Sequence, residues 1–245
     1  MSYCVALKLS RGLIFMSDTL TNGGLDDISN YPKTFSWGVP GDRQILLTTA
    51  GNLATSQAVV KTLSEQIKDK NNGSQSILNA PTMFQVARIV SQTLAEVIDV
   101  SSKWHQKAEN KFSANFILGG QINNNEMALY LIYPEGNFIE VSNKKPFFQI
   151  GETKYGRPIL VRAFEPEMSF EDAIRLLMVS FDSTIKANLS VGLPLDLSVY
   201  INDSLTEAKT HKITEDNEYF RMVSREWADA LKKSLAALPK FEFNN

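Results

Sequence analysis

The sequence predicts an α+β fold of four layers, in which two β-sheets pack face to face and helices cover both outer sides. Three observations lead there. Strand-like segments come in two uninterrupted blocks, one at the start and one in the centre. Each block is followed by helical segments. No stretch of residues 1–245 reads as an interdomain linker, so a single domain is expected. Regular strand–helix alternation would mark a doubly wound parallel fold, and the opening run of strands argues against it.

The first strand is "YCVALKL", where Tyr3, Val5, Leu7 and Leu9 alternate with Cys4, Ala6 and Lys8, the period of a half-buried strand. "GLIFMSD" is apolar on both faces and reads as a central strand. "TNGG" marks a turn, and "TFSW" and "RQILLTTA" read as two more strands joined at "VPGD". After Gly51 the period changes to a helical one: Leu53, Val60, Leu63 and Ile67 share a stripe with Ala54 and Ala58 beside it. "KDKNNGSQS" is a loop. Pro81 is expected in the first turn of a second helix, whose buried stripe is Met83, Val86, Val90, Leu94 and Val97.

The central block comprises "NFILGG", "MALYLIY", "FIEV" and "FFQIG", with turns at "GGQINNNE" and "PEGN". "ETKYGRPILVRAF" is ambiguous, because Gly156 and Pro158 would interrupt a helix. "SFEDAIRLLMVSFDSTIKAN" is a strong one, with Ser169 and Asp172 at capping-box spacing and a stripe of Phe170, Ala173, Leu177, Phe181 and Ile185. "LDLSVYIND" is a strand. The last helix is expected from about Thr214 to Leu238, with Glu215, Asp216 and Glu218 in its first turns and Lys232 and Lys233 in its last.

Composition narrows the function. The net charge is −2 and the basic residues are scattered, which favours neither a nucleic-acid nor a membrane partner. One cysteine, Cys4, excludes an internal disulfide and suggests a reducing compartment; a cytoplasmic protein is expected. Two isolated histidines, His105 and His211, make no zinc site with recognisable ligand spacing. Phosphate-cradling, dinucleotide and serine-elbow motifs are lacking, so neither a cofactor nor a metal is expected. His105 reads as an exposed residue at a helix end. A hydrolase built from this sequence would need a carboxylate, a lysine or the α-amino group as its base.

The segments "SYCVALKLSRGLIFMSDTLTN", "YPKTF", "LLTTAGNLATSQAVVKTL" and "KANLSVGLPLDLSVY", in that order, closely resemble the Anbu family, bacterial relatives of proteasome β subunits. The resemblance covers most of the chain. It implies the N-terminal-nucleophile hydrolase fold, an αββα sandwich, with Ser2 as nucleophile once Met1 is removed. A serine hydroxyl is weak until an adjacent base takes its proton. An α-amine, with an ordinary pKa of roughly 8, becomes that base when a neighbouring lysine disfavours a second positive charge. The resemblance assigns the lysine to Lys33, its orienting carboxylate to Asp18, and an oxyanion-binding backbone N–H to Gly51.

Departures from the family pattern are visible too. Serine lacks the methyl that restricts χ1 in the commoner threonine, so a less firmly held nucleophile is expected. The interval from Ser2 to Lys33 is one residue shorter than in ordinary β subunits. Asn188 stands where the pattern has a supporting aspartate, and Ser190 lies one position from its supporting serine. Cys4, two residues too late to use the terminal amine, reads as a buried small residue.

Three functions are therefore in view. The first is a self-compartmentalising peptidase acting on peptides or proteins. Its homo-oligomer would be a ring or an open helical turn, with the helices beginning near Gly51 and Thr82 as contact elements. Any unfolding ATPase would be a separate partner. The second is a hydrolase of small amides, and the third an assembly protein that has lost catalysis.

Overall fold

Side-chain alternation along the first strand sets the layering. The computed structural model describes residues 2–22, 28–69, 76–103, 112–142 and 144–243. In β1 (Tyr3–Leu9), Tyr3, Val5, Leu7 and Leu9 face a core shared with helices, while Cys4 and Ala6 face a core between sheets. β2 (Gly12–Asp18) is buried at every position, as expected for a central strand. It is followed by the short pair β3 (Leu20–Asn22) and β4 (Ile28–Asn30), then by β5 (Thr34–Val39) and β6 (Arg43–Gly51). Next come α1 (Leu53–Lys68) and α2 (Met83–Lys103).

The central block contains β7 (Ala114–Ile122), β8 (Ala128–Ile132), β9 (Phe138–Glu140) and β10 (Phe147–Gly151). The chain continues through α3 (Arg157–Ala163), α4 (Phe170–Ala187), β11 (Leu195–Ile201), β12 (Lys209–Ile213) and α5 (Glu218–Ala237).

Among the described residues, one five-stranded sheet runs β10-β1-β2-β11-β12 and a second runs β5-β6-β7-β8-β9. Three hydrophobic cores lie between four layers. Leu160, Leu177, Phe181 and Phe220 of α3, α4 and α5 pack on β1 and β2. Leu13, Phe15, Leu46, Ile117 and Leu129 fill the space between the sheets. Val59, Leu63, Val86, Val90 and Leu94 of α1 and α2 cover the second sheet through Ile45, Leu47, Phe116 and Leu118. The expected αββα order is therefore present.

Several local expectations change. Ala54 and Ala58 of α1 are exposed, and its inward face is Thr55, Ser56, Val59 and Leu63; Ser56 turns inward to bond Thr49 at 2.7 Å, while the buried Thr55 hydroxyl has no hydrogen-bond partner among the described residues. Pro81 lies before the α2 cap rather than inside the helix, since the Gln85 N–H donates to Thr82 Oγ1. Gln121 and Ile122, expected in a turn, extend β7. Gly156 and Pro158 begin α3 instead of interrupting it: glycine is the cap and proline occupies the first turn, where its missing N–H costs nothing. Thr214, Glu215 and Asp216 precede α5, which Asn217 caps by accepting from the Phe220 N–H at 2.8 Å. Lys232 and Lys233 fall short of its last turn. The expected turn at Gly23 and Gly24, the loop at 70–75 and His105 lie outside the described residues.

Candidate active site

Four chain segments meet at one end of the sandwich: the start of β1, the end of β2, the approach to β5 and the end of β6. Asp18 closes β2, opposite Leu195 of β11, and is wholly buried. Its Oδ1 accepts from the Tyr3 N–H at 2.9 Å and from Lys33 Nζ at 2.7 Å. Lys33, also buried, donates to the Leu20 carbonyl at 2.7 Å. Its own carbonyl takes the Thr49 N–H at 2.9 Å, which ties the approach to β5 onto β6. Pro32 fixes φ just before this lysine, and Lys33 turns inward rather than into solvent.

Burial pushes the Asp18 carboxyl above the usual range, against the pull of Lys33 and of the Tyr3 N–H. The Gly192 backbone adds a weaker pull, while Asp18 Oδ2 has no hydrogen bond of good geometry among the described residues. Cys4, on the neighbouring position, is fully buried, and burial pushes its thiol up to about 12. It is an inert inward side chain, as the sequence suggested.

Ser2 is half-buried and shares a narrow cleft with Lys33, Phe35, Thr49, Gly51 and Ser56. Gly51 has φ of 123°, and a Cβ there would come within 2.5 Å of the Ser113 carbonyl and 2.8 Å of Ala114 Cα. The resemblance assigned this position an oxyanion-binding N–H; the need for glycine itself comes from the close approach of β7. Asn52 then caps α1 by accepting from the Thr55 N–H at 2.9 Å, so the first turn of α1 opens beside the cleft.

Asn188 and Ser190 reach Ser2 through an intermediary that sequence reasoning missed. The Glu152 N–H donates to the Ser2 carbonyl at 2.6 Å. Glu152 Oε2 accepts from Asn188 Nδ2 at 3.0 Å, and Asn188 Oδ1 accepts from the Ser190 hydroxyl at 2.6 Å and its N–H at 3.0 Å. Gly151 makes room for this clamp: its φ is 81°, and a Cβ there would lie 1.9 Å from the Ser2 carbonyl oxygen. "GETKYG" carries a local signal only in its glycines; the partners of Glu152 are distant in sequence. His211 sits on exposed β12, away from the cleft lining. No group of three or more metal-ligating side chains occurs among the described residues.

The family model for proteasome subunits matches residues 2–199. The chain belongs to the proteasome subunit family. Within that family its likeness is to Anbu proteins. It is 40% identical to Anbu (ancestral beta-subunit) from Yersinia bercovieri, covering 99% of this chain and 100% of that one, with a TM-score of 0.91. It is 42% identical to Anbu from Hyphomicrobium sp. strain MC1, covering 98% and 100%, again with a TM-score of 0.91. A third structure, described as the helical assembly of the Anbu complex from Pseudomonas aeruginosa, is 44% identical over 98% of both chains, with a TM-score of 0.91. No match was found among curated proteins. This proteasome-family chain thus has a peptidase-type fold with a buried acid–lysine pair beside its first strand. Among the described residues, no helix is long and apolar enough to cross a membrane.

Proposed function

We propose that the protein is a proteasome-type peptidase that uses Ser2 as an N-terminal nucleophile after Met1 is removed. The observation that carries this reading is the shared oxygen of Asp18, which holds both Lys33 and the amide that follows Ser2. It anchors the nucleophile and the lysine to one point.

The reading takes residues 1–245 as one domain. Ser2 Oγ attacks the substrate carbonyl while the neutral α-amine takes its proton. Negative charge on the carbonyl oxygen is met by the Gly51 N–H, and each such donor typically lowers the barrier by about 3 kcal/mol. The C–N bond breaks, the amine product leaves with the proton, and an ester on Ser2 remains. Water, deprotonated by the same amine, hydrolyses it. Lys33 holds the α-amine neutral by opposing a second positive charge, and Asp18 orients Lys33.

The same reading includes a homo-oligomer, supported by the helical assembly described for the Pseudomonas aeruginosa protein. A surface suited to a second copy is the end of α5, where Leu231, Leu235 and Leu238 stand in solvent.

Intact mass establishes whether Ser2 is the first residue. With Met1 gone, Ser2→Ala and Lys33→Ala should each abolish hydrolysis across a panel of peptides and small amides. Unchanged rates in both would overturn the site. Cleavage of small amides alone would shift the substrate class. A retained Met1 would leave the assembly role.

A further inference from the structure

Among the described residues, Glu152 is an acid buried without a cation partner. It follows the last residue of β10 and is only 6% exposed. Its oxygens accept from Asn188 Nδ2 at 3.0 Å and from the Lys154 backbone N–H at 3.3 Å. None of the ion pairs among the described residues uses it. A buried carboxylate in that condition is costly unless a positive group joins it. Its backbone N–H is meanwhile bonded to the Ser2 carbonyl at 2.6 Å. The nearest group in the chain that would become positive at the facing strand position is the α-nitrogen of Ser2, once Met1 is removed, since the backbone of Ser2 is bonded directly to that of Glu152.

We propose that Glu152 is the counter-charge of the Ser2 α-amine, held in position by Asn188 and Ser190, and that it sets the basicity of that amine. This rests on the reading of Ser2 as the first residue. The charged groups around the amine come from several elements. β2 supplies Asp18 and the approach to β5 supplies Lys33, and these two pair with each other at 2.7 Å. The end of α4 supplies uncharged Asn188, while Asp182, farther back, is paired with Lys186 at 3.2 Å. The first turns of α1 supply uncharged Ser56 and Gln57. The Cys4 thiol stays neutral because burial pushes it up to about 12, and the buried Tyr3 hydroxyl is pushed higher still. β11 supplies Asp196, which feels Lys33 and pairs with Lys212 at 4.0 Å; among the described residues Glu152 is therefore the carboxylate here that takes part in no ion pair.

Two effects of opposite sense follow. A nearby carboxylate favours the ammonium form, so less free base exists at neutral pH. The same carboxylate stabilises the ammonium that forms when the amine takes the Ser2 hydroxyl proton, so each neutral amine is a stronger base. Glu152 acts through the amine and is a positioning residue rather than a catalytic one.

The test uses full-length protein made with Ser2 first, by clean removal of an N-terminal fusion. The α-amine is titrated by pH-dependent acetylation with acetic anhydride, read by mass spectrometry, and hydrolysis is profiled against pH. Glu152→Gln should lower the amine midpoint by about one pH unit. It should move the rate profile the same way and reduce the high-pH plateau roughly threefold, as partial proton transfer transmits part of the basicity change. A folded Glu152→Gln protein with an unmoved midpoint overturns the proposal. Should that variant fail to fold, Asn188→Ala frees the carboxylate to swing away and should give a smaller shift in the same direction; no shift there overturns it equally. A shifted midpoint without hydrolysis in any variant upholds the counter-charge and removes the peptidase reading. Ser2-dependent hydrolysis with an unmoved midpoint does the reverse.

Discussion

Asp18 holds Lys33 and the Tyr3 amide through one oxygen, so its protonation state governs both contacts. Its carboxyl is raised by burial, which places the acid limb of any Ser2-dependent hydrolysis above the ordinary carboxylate value of about 4. A raised carboxyl means the folded state binds that proton more tightly than the unfolded chain. This residue's contribution to stability is thus complete below the unfolded value and is lost as pH rises through the folded one. A rate profile still flat at pH 4 would contradict the assignment. Lys33→Ala leaves that acid buried alone and should lower stability by about 3–5 kcal/mol, measured by denaturant unfolding. Cys4 gives a separate check. With its thiol pushed up to about 12 by burial, it should resist a disulfide reagent at pH 8 in the native protein and react fully in denaturant; rapid native labelling would show that β1 opens.

At the scale of elements, α4 is the rod that links the helical core to the site. Ser169 caps it, accepting from the Asp172 N–H at 3.0 Å. Phe181 lies against Tyr3 with ring centroids 4.5 Å apart, and Asn188 ends it beside Glu152. Phe181→Ala should cost about 3–5 kcal/mol in denaturant unfolding and should loosen Ser2 through Tyr3; a loss under 1 kcal/mol would show that the ring is not the link. This helix was legible in the sequence because cap, stripe and length agree. β12 was not: four of its five residues in "KTHKI" are exposed, and an edge strand with both faces wet has no apolar alternation to read. α3 was ambiguous because Gly156 and Pro158 mean a break or a beginning depending on what packs above them. Glu152 was invisible for a different reason, since a tertiary clamp built from residues far apart in the chain leaves no local pattern.

For the molecule as a whole, the reading as an assembly rests on surfaces as much as on kinship. Leu231, Leu235, Leu238, Phe241 and Phe243 are each more than half exposed. The last turns of a helix without packing are marginal in water. Analytical ultracentrifugation at micromolar concentration should show species larger than the monomer, and Leu235→Lys should reduce their size. Monomer alone for the unaltered protein would contradict the homo-oligomer. The four-layer order was readable because it depends on the order of strand and helix blocks, which the periodicities report directly. Which outer faces meet a second copy depends on shape, which they do not.

Tyr3 is already locked between two neighbours, opposite Gly151 on one side and followed by Cys4 opposite Ser17 on the other. An aminopeptidase must draw the residues behind the scissile bond into its own groove. Here the residues directly behind the Met1–Ser2 bond are already paired. On the reading proposed above, methionine excision becomes a race against zippering: a nascent chain trimmed at the ribosome would gain its nucleophile, whereas one that closes first would stay sealed for as long as it remains native.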